Sequence, residues 1–110
     1  MDQLLEQIGK RIFERRKQLR LTQEDVAERA GVTSQMISTA ELGKKALRPE
    51  NIIKICSALD ISTDYLLLGK INDSDKSVLS MKVSELTPAQ YRHLEDIIDS
   101  YIASVKEQKA

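Results

Sequence analysis

The sequence has one cysteine, Cys56, two prolines, four glycines and no tryptophan among 110 residues. A single cysteine excludes an intramolecular disulfide and fits a reducing compartment, so a cytoplasmic location is expected. Scarce proline and glycine leave few breaks in regular structure. With Leu, Ile, Ala, Glu, Lys and Gln abundant, the chain favours helices throughout. No apolar run approaches the roughly 18 residues of a membrane span, so no membrane association is expected. The opening MDQLLEQ is acidic where a signal peptide would be basic, so no export signal is expected. His93 lacks a second His or Cys at metal-ligand spacing, and no metal is expected. Nucleophile triads, paired-carboxylate pockets and glycine-rich phosphate loops are also missing, so the expectation is a protein that is not an enzyme and carries no cofactor.

Net charge is lacking too, at 17 basic against 17 acidic residues. The distribution is uneven, however. Residues 9–48 hold ten Lys and Arg against five Asp and Glu, which leaves the remainder of the chain acidic by the same margin. A basic segment beside an acidic one suits a nucleic-acid reader with a separate surface for another purpose.

One local pattern recurs and fixes helix starts: an apolar residue, a polar cap, then an apolar residue four positions into the helix. Leu21-Thr22 pairs with Val26, Val32-Thr33 with Ile37, Ile61-Ser62 with Leu66, and Leu86-Thr87 with Tyr91. Pro88 and Gln90 add a helix-starting proline and a capping box to the last. Leu47-Arg48-Pro49 with Ile52 is a looser version. Helices are expected at about 4–19, 22–30, 33–41, 49–59, 62–68 and 87–107, with Gly31, Gly43 and Gly69 closing three of them. Residues 72–85 begin polar and turn-prone and read as a linker whose conformation stays open.

The stretch GVTSQMISTAELGK, residues 31–44, then stands out. At about 100° per residue, Ser34, Gln35, Ser38 and Thr39 fall on one side of its helix, and Met36, Ile37 and Ala40 on the other. The apolar side packs. The polar side is uncharged, short and rich in hydrogen-bonding groups, which suits a surface read at close range such as a DNA groove. With the helix before it and Gly31 between, this makes a helix-turn-helix.

Those residues carry a resemblance. TQEDVAERAGV, the Ile37-Ser38 pair, the E-x-G-K that follows and ALDIS-x-x-YLL resemble the Cro/repressor-type helix-turn-helix domain, the XRE family, across about residues 8–69. The resemblance implies an all-α, five-helix lambda-repressor-like bundle over 1–69 that binds double-stranded operator DNA, usually as a dimer, and regulates transcription. It assigns Gln23 to a phosphate clamp, Thr33, Ser34, Gln35 and Thr39 to bases and nearby phosphates, and Lys44 and Lys45 to backbone phosphate; Ser38 shares that face. Gln35 is the sharpest candidate, since its amide can pair with adenine in a bidentate way. The resemblance also implies that Arg16 and Glu41 form a structural ion pair tying the first helix to the end of the third. The chain departs from the family at Ala40, where a larger apolar residue is common, and at Leu42, where a polar one is usual.

After a linker at 70–86, residues 87–110 hold a last helix. Tyr91, Leu94, Ile98, Tyr101 and Val105 recur at three- and four-residue steps, broadened by Ile97 and Ile102, while Glu95, Asp96 and Asp99 lie opposite. Such a seam must be buried against something. Homodimerisation through Tyr91, Leu94, Ile98, Tyr101, Ile102 and Val105 is the expectation. Packing on its own bundle and capture of a different protein, as in an antitoxin, are the alternatives.

Overall fold

A computed structural model describes residues 2–109, and their regular structure is entirely helical. The helices are α1 (Gln3–Gln18), α2 (Gln23–Ala30), α3 (Ser34–Glu41), α4 (Pro49–Leu59), α5 (Thr63–Leu68), α6 (Asp73–Ser84) and α7 (Pro88–Lys109). The chain divides into two compact units after Lys76, within α6.

In the first unit, three corners of one design join helices. Arg20-Leu21-Thr22, Gly31-Val32-Thr33 and Asp60-Ile61-Ser62 each begin with a residue at positive φ, of 60°, 71° and 52° respectively. The middle residue donates its amide to a carbonyl five positions back: Leu21 to Arg16, Val32 to Ala27, Ile61 to Cys56. This closes the end of the preceding helix. Leu21, Val32 and Ile61 also pack against the core. The third residue then caps the next helix, its hydroxyl accepting from the amides of Asp25, Met36 and Tyr65 respectively. Each corner therefore ends one helix, seats an apolar side chain and starts the next.

The helices so joined enclose one core. Ile12 of α1, Val26 of α2, Ile37 of α3, Ile55 and Leu59 of α4 and Leu66 of α5 are fully buried. Each such side chain contributes about 1.5–3 kcal/mol of burial free energy. α1 packs on α3, and α2 on both α3 and α4. Cys56 lies in this core with its thiol pushed up to about 11, chiefly by burial and then by the charge of Asp75. It is a packing residue rather than a nucleophile.

Residues 70–86, whose conformation the sequence leaves open, contain α6. Its first turn is built by a reciprocal cap: Asn72 Oδ1 accepts from the Asp75 amide at 3.1 Å, and Asp75 Oδ2 from the Asn72 amide at 3.1 Å. The same Asp75 carboxylate accepts from the Ser62 amide (2.9 Å) and hydroxyl (2.5 Å), at the cap of α5. One carboxylate therefore joins the starts of two helices. In the second unit, α7 begins with the capping box expected at Thr87 and Gln90. Along α7, Tyr91, Ile97, Ile98, Tyr101 and Ile102 are exposed, and Leu94 and Val105 half-buried.

Burial pushes the Asp75 carboxyl up, but donation from the Ser62 hydroxyl and from the Asn72 and Ser62 amides outweighs it and holds the group below the ordinary carboxylate range. A depressed folded value means stabilisation that is complete above the unfolded carboxyl value near about 3.9 and is lost as pH falls through the lower folded one. Asp75→Ala should cost about 1–2 kcal/mol in urea denaturation at neutral pH, the size of a lost helix cap. That deficit should shrink as the pH is lowered below about 3.9. A deficit that does not change with pH would contradict this role.

Candidate nucleic-acid interface

The position of α3 is fixed at both ends. Its start is set by the Gly31-Val32-Thr33 corner, where Gly31 supplies the positive φ at little steric cost. Its end is set by Glu41. The Arg16 guanidinium donates to Glu41 through Nε (2.6 Å) and Nη2 (3.0 Å), and its Nη1 donates to the Leu21 carbonyl at 2.9 Å. Gln23, in the first turn of α2, donates its amide Nε2 to Glu41 Oε1 at 3.1 Å. The two charged side chains are only 8% and 6% exposed. Hydrogen bonding to Glu41 is the main cause that raises the Arg16 value further, so the guanidinium stays charged despite its burial. Among the described residues, no buried side-chain nitrogen or oxygen lacks a partner.

Close approach of α1 to α3 completes the seat. A Cβ at Gly9 would lie against the Ala40 carbonyl oxygen and 2.6 Å from that of Glu41. The small residue at Ala40, where the chain departs from the resemblance, sits at this tight crossing.

Seated this way, α3 presents its polar side between two grooves. The groove on the α4 side, of about 310 Å³, is lined by Thr33, Gln35, Thr39, Lys45, Arg48 and Asn51 among others. The one on the α1 side, of about 600 Å³, brings Ser38 and Gln23 together with Lys10, Phe13 and Leu42 over the Arg16–Glu41 pair. Ser34 and Lys44 are exposed and line neither. The Gln35 amide donates to the Thr39 hydroxyl at 3.3 Å, which holds an otherwise mobile side chain along the helix surface. Thr33 spends its oxygen on the Met36 amide and keeps its own hydroxyl proton free to donate. Lys44, Lys45 and Arg48 enter none of the ion pairs formed among the described residues. The arrangement offers neutral donors and acceptors flanked by unpaired cations, which can hydrogen-bond base edges and neutralise phosphates.

Arg48 and Asn51 were not among the residues singled out in the sequence. In the sequence Arg48 is the residue before a helix-starting proline and a cation able to approach the DNA backbone or minor groove in no fixed register, and Asn51 carries no signal. The basic segment also proves mixed in use. Arg11 donates to the Leu66 carbonyl at 3.0 Å and Arg15 to those of Leu59 (2.8 Å) and Asp60 (3.4 Å), so both satisfy the ends of α4 and α5. With Arg16 paired, three of the cations counted there serve the fold.

A helix-turn-helix family model matches residues 12–66, from within α1 to α5. YqaE, an uncharacterized HTH-type transcriptional regulator of Bacillus subtilis strain 168, is 32% identical over 98 residues, 84% of each chain. Repressor protein C2 of Salmonella phage P22 is 34% identical over 68 residues, which make up 62% of this chain and 32% of that protein. The crystal structure of the P22 c2 repressor with a synthetic operator superposes with a TM-score of 0.55 at 36% identity, over 57% of this chain and 96% of that one. The SinR protein/SinI protein complex matches with a TM-score of 0.56 at 25% identity over 87% of this chain and 98% of that one, a span that must extend past α5.

The buried pair makes a direct prediction. Glu41→Ala strands the Arg16 charge and should cost about 3–5 kcal/mol in urea denaturation, whereas the double variant Arg16→Met, Glu41→Leu should regain most of that loss. A cost below about 1 kcal/mol for the single variant would show that the pair does not hold α3.

Proposed function

This chain belongs to the XRE-type helix-turn-helix family of DNA-binding transcriptional regulators, and from that premise we propose that it represses transcription by binding a near-palindromic operator as a homodimer. The observation that carries the reading is the outer face of α3: neutral hydrogen-bonding side chains, held from both ends, with unpaired cations beside them. An α-helix of this kind fits the major groove, where each base pair shows a distinct pattern of donors and acceptors. Gln35 reads adenine through its amide, one of whose two hydrogens is already directed to Thr39. Ser34, Ser38 and Thr39 meet neighbouring base edges or phosphates. Thr33, Lys44 and Lys45 hold the backbone, and Arg48 and Asn51 extend that contact along the groove they share with Gln35. Gln23 uses one amide hydrogen on Glu41 and gives the other to a phosphate, so it sets the recognition helix against the DNA backbone.

A single domain of this size makes few base contacts, and a twofold dimer doubles them on half-sites about one helical turn apart, roughly 34 Å. The α7 stripe supports this pairing. Five of its large apolar side chains are exposed, and a second copy of α7 would bury them. Its opposite edge carries Asp96 and Asp99, which DNA would repel, while Glu95 flanks the stripe and is half-buried. The second reading, capture of a different protein through α7, is favoured by the likeness to a solved complex of two different proteins that extends past α5. Repression, rather than activation, is supported by the P22 relative, which is itself named a repressor.

Two measurements test the proposal. Gln35→Ala should weaken binding by about 1–3 kcal/mol at one base position, while Lys45→Gln should weaken binding to all sequences alike and lower the salt slope by roughly one. Equal loss on every sequence for Gln35→Ala would contradict its role. In sedimentation, the full chain should be a dimer and the Ile98→Asp, Tyr101→Asp variant a monomer. A variant that stays dimeric would remove α7 from the interface, and a wild-type monomer that joins an unlike chain would favour the second reading.

A further inference from the structure

The loop between α3 and α4, residues 42–48, has a second side. It leaves α3 at Gly43, whose backbone lies against Glu6 and Leu5 of α1. Behind it is a cavity of about 200 Å³, lined by Leu5, Ile8, Leu47, Ile52 and Leu67 together with Lys45. Lys45 is the only polar residue in that lining, and it forms no ion pair among the described residues. Among the described residues, no carboxylate lines the cavity.

We propose that this cavity binds a small aliphatic monocarboxylate whose chain fills the apolar space and whose carboxylate pairs with Lys45. Size and charge select the ligand class. A cavity of about 150 Å³ lined by aliphatic and aromatic side chains holds benzene, so one of this volume takes a chain of about eight carbons. The unpaired ammonium favours an anion over a neutral or cationic amphiphile, since a cation would bring a second positive charge to an apolar site.

The same loop connects ligand to DNA. Ala40, Lys45, Ala46 and Leu47 line both this cavity and the groove that holds Gln35 and Thr39. A carboxylate on Lys45 takes that charge from the DNA face, which makes the ligand an antagonist of operator binding. This consequence rests on the phosphate role given to Lys45 above, whereas binding of the ligand does not.

The test uses octanoate, below its micelle-forming concentration, on the ¹⁵N-labelled full chain without DNA. Saturable shifts confined to amides of residues near Leu5, Lys45–Leu47 and Ile52 are expected, with octanol and octylammonium binding less tightly. Lys45→Gln should remove the preference for octanoate over octanol. Leu5→Phe, which fills the cavity from α1, should abolish the shifts while the far-ultraviolet circular dichroism stays native. Absent or non-saturable shifts, or a preference for octanoate that survives Lys45→Gln, overturn the site. In a duplex-binding arm, octanoate should weaken binding severalfold and lower the salt slope by about one for each subunit. Shifts without any change in DNA binding overturn the antagonism. A ligand-free protein that binds no duplex overturns the function above, and the NMR arm still decides the site.

Discussion

The bidentate pair between Arg16 and Glu41 meets four segments at one buried point. Arg16 brings α1, its third nitrogen holds the Leu21 carbonyl in the turn into α2, Gln23 adds the first turn of α2, and Glu41 is the last residue of α3. Desolvating two charges consumes much of what their attraction returns, so the pair contributes modest net stability. Its contribution is geometric. Few alternative packings can satisfy a forked guanidinium on three sides, so the far end of α3 has one position relative to α1 and α2. The crossing at Gly9, where a Cβ would strike the backbone of α3, permits that close position.

From this constraint follows the division of labour across the exposed face. Gln23 lies between the buried pair and the surface, so the orientation of a side chain that could touch phosphate is inherited from Glu41. The polar side of α3 carries no charge, and the cations stand beside it in the loop and at the start of α4. Amides and hydroxyls at base edges discriminate between bases, whereas Lys and Arg set against the phosphate backbone attract any sequence equally. Keeping the two on separate elements allows affinity to change, by ligand or by salt, without altering what is read.

Much of this was legible in residues. The Leu-Thr, Val-Thr and Ile-Ser pairs placed helix starts within one or two residues of those observed, because a cap and its apolar neighbour are local chemistry. Gly31 and Gly43 signalled helix ends for the same reason. Arg20 did not, since nothing in an arginine announces positive φ, and Asp60 did so only weakly, since aspartate visits that region occasionally; at both, the apolar residue that follows packs against the core. Arg11 and Arg15 read as part of a basic surface, and only the return of α4 and α5 across α1 turned them toward carbonyl oxygens. α6 escaped notice for another reason. Val78, Leu79, Met81 and Val83 point to different sides of a helix and give no stripe, and its start depends on Asp75 reaching Ser62 far back in the chain. Of the interface, the face of α3 could be drawn on a wheel, but the groove it shares with Arg48 and Asn51 exists only once α4 is packed beside it.

The most direct measurement is selection of the full-length chain on randomised double-stranded DNA at moderate salt, followed by sequencing of the bound fraction. The account predicts a near-palindromic motif whose half-sites lie about one helical turn apart and contain an adenine whose identity ceases to matter in Gln35→Ala. Recovery of no motif by a chain that is folded, with the Arg16–Glu41 pair intact, would contradict the assignment of α3 as the reading helix.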